Sequence, residues 1–367
     1  MSTATRYTSP VDVATTWDVP MAGDSRFTWE YDEGRARLLA LYQKGKDKQW
    51  DQTSRIDWNL EIDPDNPLGL PDEVNPLLGT DVWDRAPQAT KDAYGKHFTA
   101  WQFSQFLHGE QGAMICSARI VESVPDLDSK FYAATQTMDE ARHAETYARF
   151  LQEKVGLLYP VNDQLASLLK DTLSDSRWDM PYLGMQVLIE GLALAAFGTL
   201  RDMTTVALPK QILSYIMQDE ARHVAFGRMA LKDFYANITD AERAEREEFV
   251  VEGCYLMRDR LRGKEVFETL DLPVDECLDI TEHSPYMQLF RSLLFTRIVP
   301  CVKDIGLWGP KVQKAYADMG VLDMAGVDLG ALMRQDEDIA EALDRERAER
   351  AVRQAEVEAT IAVGAGV

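Results

Sequence analysis

The stretch Asp139-Glu140-Ala141-Arg142-His143 occurs a second time in this chain, 80 residues later, as Asp219-Glu220-Ala221-Arg222-His223. A glutamate precedes each copy by 30 residues: Glu110 precedes Glu140, and Glu190 precedes Glu220. The chain therefore contains two equivalent sets of side chains, each with the pattern Glu…Glu-x-x-His.

The spacing within each set predicts where the side chains point. A glutamate and a histidine at positions i and i+3 share one face of a helix. Thirty residues cover half of one helix, a short turn and half of the next, so the upstream glutamate can lie opposite the motif across an antiparallel helix pair. Two such pairs make an all-α, ferritin-like four-helix bundle, whose interior receives four carboxylates and two imidazoles. The candidate metal ligands, which are also the candidate catalytic residues, are Glu110, Glu140, His143, Glu190, Glu220 and His223.

The helix faces that carry these glutamates are otherwise apolar, which predicts that the glutamates are buried. Residues in line with three of them are Phe103, Phe106, Leu107, Ala113 and Met114 for Glu110; Leu183, Val187, Leu194 and Phe197 for Glu190; and Leu213, Ile216 and Phe226 for Glu220. Burying an unpaired carboxylate costs several kcal/mol. Four of them in one core therefore require cations, and two divalent ions would balance their charge.

The residues that flank the two motifs are candidates for a second layer around the metals. Metal-bound histidines usually donate their other N–H to a carboxylate, and we expect Asp139 and Asp219 each to serve the histidine of the other helix. Arg142 and Arg222 would pair with these aspartates, either to tune the site or to hold the helices together. Tyr147, four residues after His143, is either a redox-active residue or a core tyrosine.

The rest of the chain indicates additional helices and no sheet, because no stretch alternates with period two. We expect a helical pattern at 32–50, a proline-rich loop at 51–87, a shorter helix at about 161–174 and helices at 241–262 and 285–299. The four bundle helices are predicted at about 88–123, 127–155, 181–206 and 209–236, with Asp126 and Asp240 as N-caps. The predicted organisation is an N-terminal arm (1–30), a ferritin-like di-metal helical domain (31–310) and a charged helical C-terminal extension (311–367).

The composition of the chain limits the classes of partner that it is expected to bind. The net charge is −22, which disfavours nucleic acids and anionic membranes. The four cysteines are widely spaced, which favours reduced thiols. No apolar stretch approaches the roughly 20 residues that span a bilayer, and the first residues lack a secretory signal. We therefore predict a cytoplasmic protein that binds neither nucleic acid nor membrane.

Residues 35–235 resemble the ferritin-like di-iron carboxylate oxygenases. The duplicated D-E-A-R-H motif with its upstream glutamates is specific to that superfamily. Further segments are similar to ligand-binding oxidases related to the ribonucleotide reductase small subunit, and residues 51–58 resemble an entry segment seen in that group and in the arylamine N-oxygenases. These segments are Phe106-Leu107-His108-Gly109-Glu110, Ile189-Glu190-Gly191, Asp219 to Gly227 and Asp51-Gln52-Thr53-Ser54-Arg55-Ile56-Asp57-Trp58.

Three departures leave the subfamily open. Arylamine N-oxygenases have an extra histidine ligand where this chain has Ile216. The cross-linked valine and tyrosine of the ligand-binding oxidases would fall at Gly112 and Met185, which cannot form that link. The threonine of the bacterial multicomponent hydroxylases corresponds to Leu194.

The resemblance implies a non-haem di-iron oxygenase or oxidase, most simply a monooxygenase, that activates O2 to hydroxylate, N-oxygenate or desaturate a small organic substrate. It implies two Fe, with Mn/Fe as an alternative, an external reductase or ferredoxin, and a homodimer. The alternatives are a radical-generating or ligand-binding di-metal (Mn/Fe) oxidase of the reductase small-subunit type, an iron-storage protein and a helical interaction module. Candidate pocket residues are Phe106, Ala113, Met114, Gln136, Thr137, Leu194 and Phe197.

Overall fold

The computed structural model describes residues 25–28 and 35–364, so most of the predicted N-terminal arm lies outside the described residues. Within those ranges the chain forms helices and no β-strand. Two 3-10 segments (Asp72–Val74 and Leu322–Gly326) and two π-helical segments (Leu151–Val155 and Leu183–Ile189) accompany the α-helices. The α-helices are α1 (Ala36–Asp47), α2 (Gln52–Arg55), α3 (Asp81–Arg85), α4 (Gln88–Ser123), α5 (Leu127–Phe150), α6 (Asp163–Ser174), α7 (Asp179–Tyr182), α8 (Glu190–Met203), α9 (Ala207–Tyr235), α10 (Asp240–Asp259), α11 (Lys264–Thr269), α12 (Val274–His283), α13 (Pro285–Leu293), α14 (Ile298–Asp304), α15 (Pro310–Asp318) and α16 (Leu329–Gly364).

Four long helices form the bundle predicted from the duplicated motif. The first pair is α4 and α5, and the second pair is α9 and the continuous helix made of α7, a π-helical segment and α8. The pairs meet where α5 contacts α9 and where α4 contacts the π-helical segment. The remaining helices surround this bundle, which confirms an all-α, ferritin-like four-helix bundle with additional helices.

The ends of the bundle helices follow from local chemistry. Asp126 caps α5, because its carboxylate accepts a hydrogen bond of 2.9 Å from the backbone N–H of Ser129. Gly156 ends the π-helical extension of α5 with a φ of 74°, a conformation that costs glycine little. One predicted cap was wrong. Thr239, not Asp240, caps α10, and Glu242 closes a reciprocal capping box with it.

The sequence analysis predicted that no apolar stretch is long enough to span a bilayer, and this prediction was wrong. The helix from Asp179 to Met203 has 25 residues and is apolar enough to cross a membrane. Most of its apolar stretch is buried inside the protein. A helix that is apolar on all sides is also what the centre of a large soluble bundle requires, so this feature is weak evidence for a membrane.

The C-terminal helix α16 packs along α9. Its Asp336 is 1% exposed and accepts hydrogen bonds from two buried arginines, Arg201 (3.0 Å) and Arg297 (2.6 Å). One turn of this helix is therefore tied to α8 and to the start of α14. The predicted domain boundaries stay a prediction.

Replacing Asp336 by alanine tests how strongly this ion pair holds α16. Removing the carboxylate leaves two buried guanidinium groups without it, so we expect the free energy of unfolding to fall by roughly 3–5 kcal/mol. The control is Glu337→Ala, because Glu337 pairs with Lys44 and Lys48 near the surface and should cost less than about 1 kcal/mol. Urea unfolding measures both, and equal losses would contradict this role for Asp336.

Candidate metal centre

Six acidic and imidazole side chains converge at the middle of the bundle. Glu110 comes from α4, Glu140 and His143 from α5, Glu190 from the first position of α8, and Glu220 and His223 from α9. All are at most 5% exposed. The structure thus brings together every residue that the sequence predicts as a ligand, and ligation itself stays a prediction.

The six side chains form two overlapping sets of four. One set is Glu110, Glu140, His143 and Glu220, and the other exchanges Glu110 and His143 for Glu190 and His223. Within each set, one nitrogen or oxygen atom per residue lies within 4.8 Å of the others. Glu140 and Glu220 belong to both sets. This arrangement suits two cations that share two carboxylates and have one further carboxylate and one histidine each.

Several polar atoms at the centre have no hydrogen-bond partner among the described residues. They are Glu140 Oε2, Glu190 Oε2, Glu220 Oε1 and His143 Nδ1. Buried polar atoms are nearly always paired, so unpaired ones need an explanation. His143 Nδ1 lies 2.9 Å from Glu220 Oε1 and 3.4 Å from Glu110 Oε2. The chemistry and placement of these donors fit bound divalent metals.

Burial and mutual repulsion shape the protonation of the carboxylates. Burial, followed by the charge of Glu220, raises the pKa of Glu110 well above its ordinary value. Burial and the charges of Glu220 and Glu140 likewise raise the pKa of Glu190 well above its ordinary value. For Glu140, burial also acts upward, but the adjacent His223 and His143 bring its pKa below the ordinary value. Glu110 and Glu190 therefore do not ionise easily unless cations are present.

The two aspartates and arginines of the motifs link α5 to α9 behind the histidines. Asp219 Oδ2 lies 3.1 Å from His143 Nε2, and Asp139 Oδ2 lies 3.2 Å from His223 Nε2, so each aspartate serves the other helix. Arg142 donates to Asp139 (2.5 Å) and to Asp219 (2.8 Å). Arg222 donates to Asp219. The two arginines balance the two aspartates, so the charge of the four glutamates is left for metal ions.

The segment before α2 adds hydrogen bonds that the motif spacing did not predict. Gln49 Nε2 donates to Asp139 (2.7 Å), and Trp50 Nε1 donates to Asp219 (2.7 Å). The guanidinium of Arg142 also lies over the Trp50 ring, 4.7 Å from its centre. These contacts join residues about 90 and 170 positions apart, which no local pattern could reveal.

Two glutamines make the halves of the site unequal. Gln136 donates to both Glu140 and Glu190, at 2.9 Å each, and its own oxygen accepts from Gln186. Gln186 lies in the π-helical segment directly before Glu190, and such segments are frequent at functional sites. The position equivalent to Gln136 in the second half is the fully buried Ile216, 80 residues later. Gln136 lies one helical turn before Glu140 in the sequence, and this spacing is the signal that could have placed Gln136 at the site.

A small cavity of about 20 Å³ touches the carboxylates. The cavity lies against Glu110, Glu190 and Glu220, and its other lining residues are Gln105, Phe106, Gly109, Ala113, Met185, Ile189, Ala193, Phe197 and Arg260. Of the predicted pocket residues, Phe106, Ala113 and Phe197 line it. Met114, Thr137 and Leu194 do not, and Gln136 contacts the glutamates instead.

Tyr147 is fully buried on the Glu110 side of the site. It packs against the rings of Phe103, Phe106 and Phe197, with ring centres 5.6 to 5.9 Å apart. Its hydroxyl has no hydrogen-bond partner among the described residues. Burial and the charges of Glu110 and Glu220 raise the pKa of Tyr147 well above its ordinary value, so the phenol is neutral.

A larger cavity of about 360 Å³ lies at one end of the bundle. Its walls include Trp83, Tyr94, Trp101 and Phe290. Its wall residue nearest in sequence to Glu110 is Gln102, eight residues earlier on α4, and a helix rises about 1.5 Å per residue. Gln102 is thus roughly 12 Å along α4 from Glu110, and none of the residues that line this cavity is one of the four glutamates.

Comparison with known families and structures adds to this geometry. The sequence pattern of the family described as "P-aminobenzoate N-oxygenase AurF" matches residues 32–306. The chain belongs to this family. The family is one of oxygenases, so the chain is an oxidoreductase with a di-metal carboxylate site. Within the family, Ile216 stands where the resemblance implies an additional histidine ligand.

Solved structures with a similar fold share little sequence with the chain. Dimanganese(II)-NrdF from Streptococcus sanguinis is 14% identical, with a TM-score of 0.48, and the match covers 79% of this chain and 98% of that one. A variant of an R2-like ligand-binding oxidase with a Mn/Fe cofactor is 17% identical, with a TM-score of 0.44, and the match covers 77% and 96%. These scores are too low to inform the activity or metals of this chain. None of the curated proteins compared with the chain has a significantly similar sequence.

Replacing the carboxylate of Glu190 by a neutral amide should stabilise the metal-free protein but reduce the stabilisation that bound metal provides. We expect Glu190→Gln to stabilise the metal-free protein at neutral pH by on the order of 1 kcal/mol, because burial raises the pKa of Glu190 and the wild-type carboxylate must take up a proton to fold without metal. Added ferrous iron should then stabilise the variant less than the wild type, and a tenfold weaker site lowers that gain by about 1.4 kcal/mol.

Anaerobic thermal unfolding with and without ferrous iron measures both effects. The control is Glu247→Gln, since Glu247 is buried but binds the backbone N–H of Gly309, away from the cluster. A metal-free Glu190→Gln protein that unfolds more easily than the wild type would argue against a raised pKa at this position.

Proposed function

We propose that this chain is an O2-dependent non-haem di-iron monooxygenase, and that its substrate is a small aromatic amine that it N-oxygenates. The observation that carries the proposal is the pair of overlapping four-residue sets that share Glu140 and Glu220, together with four of their polar atoms that have no hydrogen-bond partner among the described residues. The family described as a P-aminobenzoate N-oxygenase supports the choice of an amine nitrogen as the oxidised atom.

Each protein group has a defined task in this proposal. Glu110 and His143 would hold one metal, Glu190 and His223 would hold the other, and Glu140 and Glu220 would join the two. Two bound irons would supply the redox chemistry of O2 activation. Asp139 and Asp219 accept the N–H of the histidines and so fix which ring nitrogen faces the metal.

The overall reaction balances with one external reductant. One oxygen atom of O2 is inserted into an N–H bond of the amine to give a hydroxylamine. The other oxygen atom leaves as water, with two protons and two electrons from outside the chain. We propose a separate reductase or ferredoxin as the donor.

The walls of the cavity determine what can react. Phe106 and Phe197 stand edge to face, with ring centres 4.7 Å apart, and exclude water from one side of Glu110. Gly109, Ala113 and Ala193 line another side with small side chains. About 20 Å³ holds little more than one water molecule, so the substrate must displace lining side chains as it binds.

A second candidate is a radical-generating or ligand-binding Mn/Fe oxidase. The observation in its favour is Tyr147, whose buried hydroxyl has no hydrogen-bond partner in the described part of the chain. A tyrosyl radical after exposure of the reduced protein to O2, lost in Tyr147→Phe, would favour this candidate. Substrate turnover retained in Tyr147→Phe would favour the oxygenase.

We also propose a cytoplasmic homodimer. Ile115 on α4 and Phe131 and Met138 on α5 are large apolar side chains that the described part of the chain exposes on two neighbouring bundle helices, which supports a second copy as partner. Sedimentation of the wild type and of Met138→Glu tests this. A wild-type monomer would contradict the dimer.

Metal content tests the ligand assignment. We expect about two irons per wild-type chain and at most one in Glu140→Ala, because Glu140 belongs to both sets of ligands. The matched control is Glu145→Ala, which removes a solvent-facing glutamate from the same helix and should keep both irons. Elemental analysis of the iron-loaded proteins measures this, and two irons in Glu140→Ala would overturn the assignment.

Filling the cavity from Gly109 should impair substrate binding without loss of the fold. A Cβ atom added at Gly109 meets no atom within 4 Å, so the backbone tolerates a side chain there, and we expect Gly109→Leu to fold, keep its metals and lower kcat/KM at least tenfold. Gly326→Leu is the matched control, because Gly326 is also unobstructed and lies outside the bundle. Unchanged kcat/KM in Gly109→Leu would show that the substrate does not use this cavity.

A further inference from the structure

The large cavity at one end of the bundle has no part in the reaction proposed above. Its volume of about 360 Å³ lies within the range of small-molecule binding sites, roughly 300–1,000 Å³. Six aromatic side chains form much of its wall, and they are Trp83, Tyr94, Phe98, Trp101, Tyr286 and Phe290. A flat ring in this cavity can therefore pack against aromatic rings of the protein.

The aromatic side chains of this wall hold one another in place. Trp83 stands edge to face with Tyr94, with ring centres 5.2 Å apart, and Tyr94 stacks on Phe98 at 5.9 Å. Phe98 packs against Trp101 at 5.7 Å, and the indole N–H of Trp101 donates to Glu265, which is not part of the wall. The rings are thus positioned without a ligand, which lowers the entropy lost when one binds.

One buried amide of the wall lacks a hydrogen-bond partner. Gln102 on α4 is 3% exposed, and its Oε1 atom has no partner among the described residues. Buried polar atoms are nearly always paired. Gln211 on α9 shows the ordinary case, because it is also buried and its Oε1 accepts a hydrogen bond of 3.1 Å from the backbone N–H of Asp57. Gln102 is therefore free to accept an N–H of a molecule in the cavity.

The charged residues of the wall are in contact with solvent. Asp65, Asp72 and Asp92 are exposed, and Lys91 is partly exposed. The buried Arg260 lines the small cavity and not this one. A charged ligand group would therefore lose its hydration without gaining a buried counter-ion, and contact of a cation with aromatic rings recovers only part of that loss. The large cavity thus favours an uncharged ligand.

The large cavity adjoins the small cavity that touches the carboxylates. On three elements, a residue that lines one cavity is followed or preceded within three positions by a residue that lines the other. With the residue of the large cavity first, the pairs are Gln102 and Gln105 on α4, Leu200 and Phe197 on α8, and Leu261 and Arg260 directly after α10. Three residues of a helix span about 4.5 Å, so roughly one layer of side chains separates the two cavities.

We propose that the large cavity is a second binding site, which holds an uncharged aromatic amine before the amine passes to the metals. The ring would pack between the aromatic side chains, and its N–H would donate to Gln102 Oε1. Movement of Phe197 and Leu200 would then open the way to the small cavity. This inference rests on the proposed function for the identity of the ligand as an amine, and it adds the place where the substrate first binds and its charge.

The first test compares three probes that share an aniline ring and differ in charge. They are 4-methylaniline, which is uncharged at neutral pH, 4-aminobenzoate, which is an anion, and 4-(aminomethyl)aniline, which is a cation. Calorimetry with the iron-loaded protein in the absence of O2 should show that 4-methylaniline binds at least tenfold more tightly than either charged probe. A charged probe that binds as tightly as 4-methylaniline would overturn the proposal.

Replacing Gln102 by leucine tests the proposed hydrogen bond. Gln102→Leu removes the acceptor and keeps a side chain of similar size, so we expect 4-methylaniline to bind at least tenfold more weakly. The matched control is Gln211→Leu, the same substitution at a buried glutamine outside the cavity, and it should bind 4-methylaniline as the wild type does. Unchanged binding in Gln102→Leu would contradict the proposed hydrogen bond.

Thermal unfolding separates ligand binding from a structural role of Gln102. Because Gln102 Oε1 has no protein partner, ligand-free Gln102→Leu should unfold at the wild-type temperature or above. Gln211→Leu should unfold at a lower temperature, since it leaves the N–H of Asp57 without its acceptor. A Gln102→Leu protein that unfolds several degrees below the wild type would overturn the proposal, because Gln102 would then stabilise the fold.

Turnover of 4-methylaniline tests passage from the large cavity to the metals. Gln102→Leu should lower kcat/KM at least tenfold but leave kcat and the content of two irons unchanged, because Gln102 acts on capture of the amine and not on its oxidation. Unchanged kcat/KM in a variant that binds the amine more weakly would show that this cavity does not lie on the route to the metals.

The remaining outcomes distinguish this inference from the proposed function. If the wild type binds two irons and oxidises an aromatic amine but shows no preference for the uncharged probe, the second site is wrong and the oxygenase proposal stands. If no metal binds, the oxygenase proposal fails, and the preference among the three probes is still measurable on the metal-free protein.

Discussion

Four carboxylates enclosed by apolar helix faces form the constraint on which the structure depends. Glu110, Glu140, Glu190 and Glu220 are at most 5% exposed, and burial penalises their charged forms. Cations bound at their centre would remove that penalty, because the carboxylates would then share positive ions in place of repelling one another. The same four helices therefore form both the scaffold and the metal-binding site, so the stability of the fold and the affinity for metal are linked.

The polar side chains around the four carboxylates bind one another and hold the helices together. They leave the centre of the site available for metal ions. Asp139, Asp219 and Arg142 cross-link α5 and α9 directly behind the histidines. Trp50, in the segment before α2, donates a further hydrogen bond to Asp219. The small cavity beside Glu110, Glu190 and Glu220 is lined mainly by apolar residues, with Gln105 and Arg260 as its other polar side chains. The site thus has a hydrogen-bonded polar layer behind its histidines and a mainly apolar cavity against its carboxylates.

The sequence was informative where the chemistry repeats at helical spacing. The duplicated motif predicts the four bundle helices, and α4 begins and ends where the prolines Pro87 and Pro125 indicate. Contacts between distant segments could not be predicted, because Gln49 and Arg260 meet the site through folding and no periodic pattern marks them. The cap at Thr239 was missed although the sequence marks it, since Glu242 three residues later completes the Thr-x-x-Glu pattern of a capping box.

Anomalous X-ray diffraction at the iron edge, on crystals of the iron-loaded protein, tests the central claim most directly. The account predicts two anomalous peaks inside the bundle, one near Glu110 and His143 and one near Glu190 and His223, with Glu140 and Glu220 between them. A single peak, or peaks only at the surface, would contradict the account.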